Sequence, residues 1–149
     1  MKVEAVEVKP RTRPVPSVSE VGTGKDTRLV IPGQPATKKN SQMARCVGGK
    51  PVVIQSKAYR AYEKMALQAL LACPRVEFSG PVAVTVHYWL KDNRRPDLTN
   101  LLQATADILE KARIIGNDRE IISWDGSRIM GVSPEPRVEI TIKALNRRM

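Results

Sequence analysis

Asp97, Asn100 and Asp107 follow one another at steps of three and seven, and Asp118 comes after them in a Gly-Asn-Asp turn. On a helix, seven residues at about 100° each bring Asn100 and Asp107 within about 20° of one another. With Gln103 they make one polar ridge on an otherwise apolar segment. Each acid also has an ordinary use. Asp97 stands where a helix cap belongs, and accepting from the N–H of Thr99 or Asn100 there contributes about 1 kcal/mol. Asp118 suits a turn. Together they have a chemical use as well, because Mg²⁺ takes oxygen ligands and often only one or two protein carboxylates, with water and phosphate oxygens in the other positions. Asp97 and Asp118 are therefore candidate metal ligands, and Asn100 and Asp107 candidate catalytic partners. An ion held there, Mg²⁺ or Mn²⁺ in its place, polarises a scissile phosphate, lowers the pKa of attacking water and neutralises the leaving oxygen. Such chemistry needs no catalytic His or Cys and no small-molecule cofactor.

The surrounding charge points to a phosphate-rich partner. The chain of 149 residues carries 25 Lys and Arg against 15 Asp and Glu, a formal charge of +10. Residues 29–90 hold eight bases and only Glu63 and Glu77 as acids, whereas six acids (Asp97, Asp107, Glu110, Asp118, Glu120, Asp125) gather in a window of 29 residues. A basic surface with a carboxylate cluster beside it is the expected footprint of a metal site on a polyanion-binding protein. Lys38 and Lys39 in a Gly- and Pro-flanked loop, and Arg94 and Arg95 just before Asp97, are the candidate phosphate contacts.

Several classes drop out. The apolar stretch 65–73 runs nine residues and includes Gln68, short of the roughly 20 that cross a bilayer. MKVEAVEVKPRTRP has acids and prolines where a secretory signal needs an apolar run, so a cytoplasmic protein without membrane contact is expected. Cys46 and Cys73 form neither a CxxC pair nor a disulfide framework and read as reduced structural thiols. An aromatic content of 4% leaves few stacking platforms for single-stranded bases, which weakens an RNA-binding reading.

The elements that must position these residues follow from periodicity. Residues 1–28, with Pro10, Pro14, Pro16, Gly22 and Gly24, read as a flexible basic tail, and 29–149 as one domain. A strand is expected over 28–32, a basic loop over 33–40, and a hairpin of 43–47 and 51–55 around Gly48-Gly49-Lys50. Ser56 caps a helix reaching about residue 73. Residues 81–90 alternate with period two and make the central strand. A helix runs from 97 or 98 to about 112, followed by strands over 120–130 and 137–144. That order predicts an α/β (α+β) fold: a single compact domain with a mixed β-sheet and two principal helices. His87 is expected as a packed or partly exposed strand residue.

The run RRPDLTNLLQATADILEKARIIGNDREI, residues 94–121, resembles the RusA family of Holliday junction resolvases. That family's pattern is a basic pair, Asp-Leu-Asp-Asn-Leu, a helix with a lysine and a later Asp, then an Asp-Asp or Asn-Asp turn. IPGQPATKKNSQ and QSKAYRAYEKMA resemble its first strand, basic loop and first helix, and RVEITI its last strand. The resemblance implies a Mg²⁺-dependent crossover junction endodeoxyribonuclease acting as a homodimer on four-way, branched double-stranded DNA in recombination and repair, in a bacterial or prophage-encoded setting. By position, Asp97 matches the first metal carboxylate and Asp118 the turn carboxylate, with Asn100, Asp107 and the basic Arg128 also at family positions. Two residues depart: Thr99 stands where the family has its second aspartate, and Gln103 where many members have a lysine. These departures leave a second reading open, a junction- or branched-DNA-binding protein of the same fold with weak or lost nuclease activity.

Overall fold

The computed structural model describes residues 26–38 and 42–145, and for strand residues 42–47 and 51–55 the backbone path. Residues 1–25 of the expected tail lie outside it. Strand β1 (Thr27–Pro32) begins just before the expected start of the domain.

The sheet is organised around β4 (Val82–Leu90), as its alternating pattern requires. Val82, Val84, Val86, Tyr88 and Leu90 are buried, and the residues between them are partly exposed. Strand β7 (Arg137–Ala144) pairs antiparallel along nearly all of one side of β4, and β1 pairs antiparallel with β7. On the other side lie two short parallel strands, β5 (Ile121–Ser123) against the start of β4 and β6 (Arg128–Val132) against its end. The result is a mixed five-stranded sheet in an α+β domain. Helices α1 (Lys57–Leu71) and α2 (Leu98–Lys111) share a core with one face of this sheet. Tyr59, Tyr62 and Ala66 meet Leu101, Ile108 and Leu109 over Leu29, Val84 and Ile140.

Local chemistry sets the ends of these helices. Ser56 Oγ accepts from Tyr59 N at 3.2 Å and starts α1, as Ser at an N-cap does. Past the end of α2, Arg113 adopts φ 62°, and Ile114 N donates to Leu109 O. Ile114 O in turn accepts from Phe78 N, tying the end of α2 to the chain leading into β4. Inside the layer Thr105 Oγ1 donates to Leu101 O at 2.9 Å, so Tyr88 Oη is the donor in its 2.7 Å bond to Thr105.

The segment expected as one strand over 120–130 is divided in two. Gly126, at φ 85°, turns the chain between β5 and β6. There Thr85 Oγ1 donates to Asp125 O, and Val86 N donates to Ser127 Oγ at 2.9 Å, so a side chain replaces the ladder bond that a continuous strand would have made. Strands β2 (Gln42–Val47) and β3 (Lys50–Gln55) form a separate two-stranded ribbon. Its turn has Gly48 at φ 61° and Gly49 at φ 79°, the pair of positive values that a two-residue hairpin turn with the right twist demands.

Candidate metal and phosphate site

Asp97 occupies the N-cap position of α2, but its side chain makes no capping bond. The expected bonds to the N–H of Thr99 or Asn100 are absent. Its carboxylate is exposed and, among the described residues, accepts only from Asn100 Nδ2, at 3.3 Å. Asn100 thus steadies one carboxylate oxygen and leaves the other open. A strand end, a six-residue loop and a helix start converge here, so the group stands at the C-terminal end of β4 beside a positive helix end. Thr99 and Gln103 are both exposed on the first turns of the same helix.

Arg94 and Arg95 are exposed immediately upstream. Arg94 Nη2 lies 2.9 Å from Asp92 Oδ2, and Arg94 N donates to Asp92 Oδ1. The guanidinium's hydrogen bond holds the Asp92 carboxyl below the usual carboxylate range. The Arg94 side chain is nonetheless 82% exposed, and so open a pair holds it weakly enough to leave it available to phosphate.

Asp107 faces a different neighbour. Lys38 Nζ, from the basic loop, lies 2.8 Å from Asp107 Oδ2. Both line an open cleft of about 410 Å³ with Glu110, Lys111 and Arg113. One turn along α2, Lys111 Nζ is 2.8 Å from Glu63 Oε2 on α1, and Tyr59 Oη donates to the same oxygen. Burial first, then the negative charges of Glu63 and Asp107, push the Tyr59 hydroxyl well above its ordinary pKa. This polar seam joins α1, α2 and the basic loop. Lys39 lies outside the described residues.

Asp118 begins a short 3₁₀ turn, Asp118–Glu120, started by Asn117, whose side chain accepts from Arg119 N. The turn packs against α2 and leads directly into β5, whose Ile121 registers with Val82 at the start of β4. Asp97, by contrast, follows Leu90 at the end of β4. Eight steps of about 3.3 Å along the nine residues of β4 separate the two ends by roughly 26 Å, and α2, about 21 Å long, runs back towards the start of the strand. The structure therefore sets Asp97 and Asp118 at opposite ends of β4. Among the described residues no three His, Cys, Asp or Glu side chains gather as a cation site. The acidic window of the sequence is dispersed: Asp107 is paired, Glu110 lines the cleft and Asp125 sits in the β5–β6 turn.

Glu120 was not singled out by the sequence reading. Among the described residues its Oε1 is closed off from solvent and has no hydrogen-bond partner, an unusual state for a carboxylate oxygen. Its only signal in the sequence is its place two residues after Asp118. Arg128 is exposed on β6, in register with His87 of β4. His87 is partly exposed, with Nε2 3.2 Å from Gly126 O, as expected of a strand histidine.

Residues 32–143 match the family described as Endodeoxyribonuclease RusA. The chain belongs to the RusA endodeoxyribonuclease family. No curated protein matches it. Among the described residues no helix is long and apolar enough to cross a membrane.

Proposed function

We propose that this protein is a Mg²⁺-dependent endonuclease that resolves four-way DNA junctions by paired phosphodiester hydrolysis in recombination and repair, and that it works as a homodimer. The observation that carries the reading is the Asp97 carboxylate, released from the capping role its position invites and left open between Arg94, Arg95 and the positive end of α2. The donor set suits Mg²⁺ or Mn²⁺, since the groups are carboxylate oxygens with few protein partners. When bound, such an ion polarises the phosphate and lowers the pKa of water. Asp97 and, at the other end of β4, Asp118 would hold it, with the orphaned Glu120 Oε1 beside Asp118.

The opposed placement of Asp97 and Asp118 bears on the homodimer. One copy cannot bring the two carboxylates to one ion, whereas a two-fold pair can set Asp97 of one copy beside Asp118 of the other, twice. Two equivalent sites then suit symmetric incision. Arg94, Arg95, Arg128 and Lys39 hold flanking phosphates in this reading, and Lys38 positions the basic loop through Asp107. Asn100 orients Asp97.

The second reading, a branched-DNA-binding protein with weak or lost cleavage, is favoured by Thr99 and Gln103, which give the exposed start of α2 one carboxylate and no cation. A labelled four-way junction and a linear duplex, each with Mg²⁺ or EDTA at two salt concentrations, separate the readings. Paired nicks on the junction that need metal and vanish in Asp97→Asn and Asp118→Asn support the nuclease. Tight junction binding without nicks at any metal concentration supports the binder. Thr99→Asp should raise Mn²⁺ affinity, measured by calorimetry, if the missing carboxylate limits the site.

A further inference from the structure

Helices α1 and α2 share the core with one face of the sheet, so the alternate residues of β1, β4 and β7 point to the other face, where they are partly or fully exposed. The outward positions of the strands carry four cations: Arg28 on β1, Arg137 and Lys143 on β7, and Arg128 on β6. Glu139 is the one acid at an outward strand position among the described residues, and it is already engaged, since Arg137 Nε donates to its Oε2 at 2.7 Å. Asp125 and Glu135 stand in turns at the margins. An open face with this balance attracts a polyanion.

Its chemistry narrows the kind of polyanion. The Arg137 guanidinium carbon lies 4.0 Å from the centroid of the Trp89 ring, across the pairing of β7 with β4. His87 meets the same ring edge-on, with centroids 6.1 Å apart. Arg137 Nη1 donates to Glu135 O at 2.9 Å and reaches Ser133 Oγ at 3.4 Å. With the bond to Glu139, these contacts lie around the edge of the guanidinium and hold its plane over the ring. One face of the plane is on Trp89; the other belongs to a side chain still 28% exposed, and Nη2 makes no bond among the described residues. Bases stack on aromatic rings and on Arg guanidinium planes alike. A duplex keeps its bases stacked inside, so the polyanion that can use such a platform is single-stranded. Along β7, Lys143 follows Arg137 by six residues, about 20 Å, the span of a few nucleotides, and Arg28 flanks that line opposite Thr141.

We infer that the helix-free face of the sheet binds a single-stranded polynucleotide, one base stacking on the Arg137–Trp89 platform and the backbone running along β7 past Arg28 to Lys143. The site uses none of the carboxylates of the proposed metal site and needs no metal, so it stands apart from the nuclease reading.

Fluorescence anisotropy with the full chain in EDTA tests this, using labelled oligothymidylate and oligouridylate of about 15 nucleotides and a duplex of the same length. Trp89→Leu should weaken single-strand binding about tenfold and leave duplex binding unchanged. Arg28→Gln and Lys143→Gln replace exposed side chains, should fold as circular dichroism melts would verify, and should each make the dependence of log K on log salt shallower by about 0.7. Of the two tryptophans, Trp89 should report the contact: oligothymidylate quenches emission in Trp124→Phe and not in Trp89→Phe. The tighter of the two single strands identifies the source as DNA or RNA. Should Trp89→Leu fail to fold, quenching and the salt slopes still decide. Quenching that survives in Trp89→Phe, or salt slopes unchanged in Arg28→Gln and Lys143→Gln, would overturn the assignment. So would equal losses of single-strand and duplex binding in Trp89→Leu, which would make the face a plain electrostatic contact.

Discussion

Lys38 Nζ and Asp107 Oδ2 meet at 2.8 Å, joining the basic loop that follows β1 to the middle of α2. Sequence spacing places Asp107 on the ridge with Asn100, and charge places Lys38 among the phosphate contacts, but each is already engaged by the other. The pair fixes where the chain leaves the core for the β2–β3 ribbon. With side chains 28% and 20% exposed, its coupling in a double-mutant cycle of Lys38→Met and Asp107→Asn should be about 1 kcal/mol or less. Asp107→Asn should leave Mn²⁺ affinity unchanged in calorimetry, whereas a loss comparable to that of Asp97→Asn would add Asp107 to the metal ligands.

Two N-caps in this chain behave oppositely. Ser56 Oγ accepts from Tyr59 N, and Asp97 caps nothing. Ser56→Ala should therefore cost about 1 kcal/mol in urea denaturation, while Asp97→Ala should cost less than about 0.5 kcal/mol. An Asp97→Ala loss as large as that of Ser56→Ala would mean that the carboxylate does cap α2 in solution.

The elements that periodicity can reach were legible beforehand. Val82 to Leu90 alternates, and Leu101, Thr105, Ile108 and Ala112 recur at helical spacing, so β4 and α2 follow from side-chain burial alone. The break between β5 and β6 was not, because it depends on Ser127 supplying an acceptor to Val86 N from 41 positions away. For the same reason the spread of the acids was hidden. Nearness of Asp97 to Asp118 in sequence says nothing of a helix about 21 Å long between them, at about 1.5 Å per residue. Conversely, Asp97's release from the cap depends on the side-chain rotamer, which residue type does not fix.

The buried bond of Tyr88 to Thr105 is asymmetric. Tyr88→Phe removes a donor and leaves Thr105 bonded to Leu101 O, at a cost of about 1 kcal/mol. Thr105→Val leaves a Tyr88 hydroxyl, 0% exposed, without its partner, and should cost more, about 1–3 kcal/mol. Denaturant midpoints in the reverse order would show that water or another group accepts from Tyr88.

Arg113 holds φ 62° in the turn that ends α2, where its N–H donates to Glu110 O. Non-glycine residues pay roughly 1 kcal/mol or more in the left-handed region, whereas glycine is at ease there. Arg113→Gly should raise stability by up to about 1 kcal/mol, seen as a higher denaturation midpoint at an unchanged slope. A fall would mean that the Arg113 side chain contributes more to the cleft than its backbone costs.

Subunit mixing offers the sharpest check on how the carboxylates cooperate. In the proposed homodimer, Asp97→Asn and Asp118→Asn should each abolish activity and tight Mn²⁺ binding. If a site takes Asp97 from one copy and Asp118 from the other, a heterodimer of the two variants has one site with both residues replaced and one with both intact. Random exchange makes half the dimers mixed, so Mn²⁺ binding and single-strand nicking should return to about a quarter of the wild-type site count. Paired nicks should not return, because no dimer has two intact sites. If instead each copy built its own site, every site in the mixture would carry one Asn, and mixing would restore neither binding nor nicking. The relative positions of β4, α2 and the Asp118 turn favour the first result.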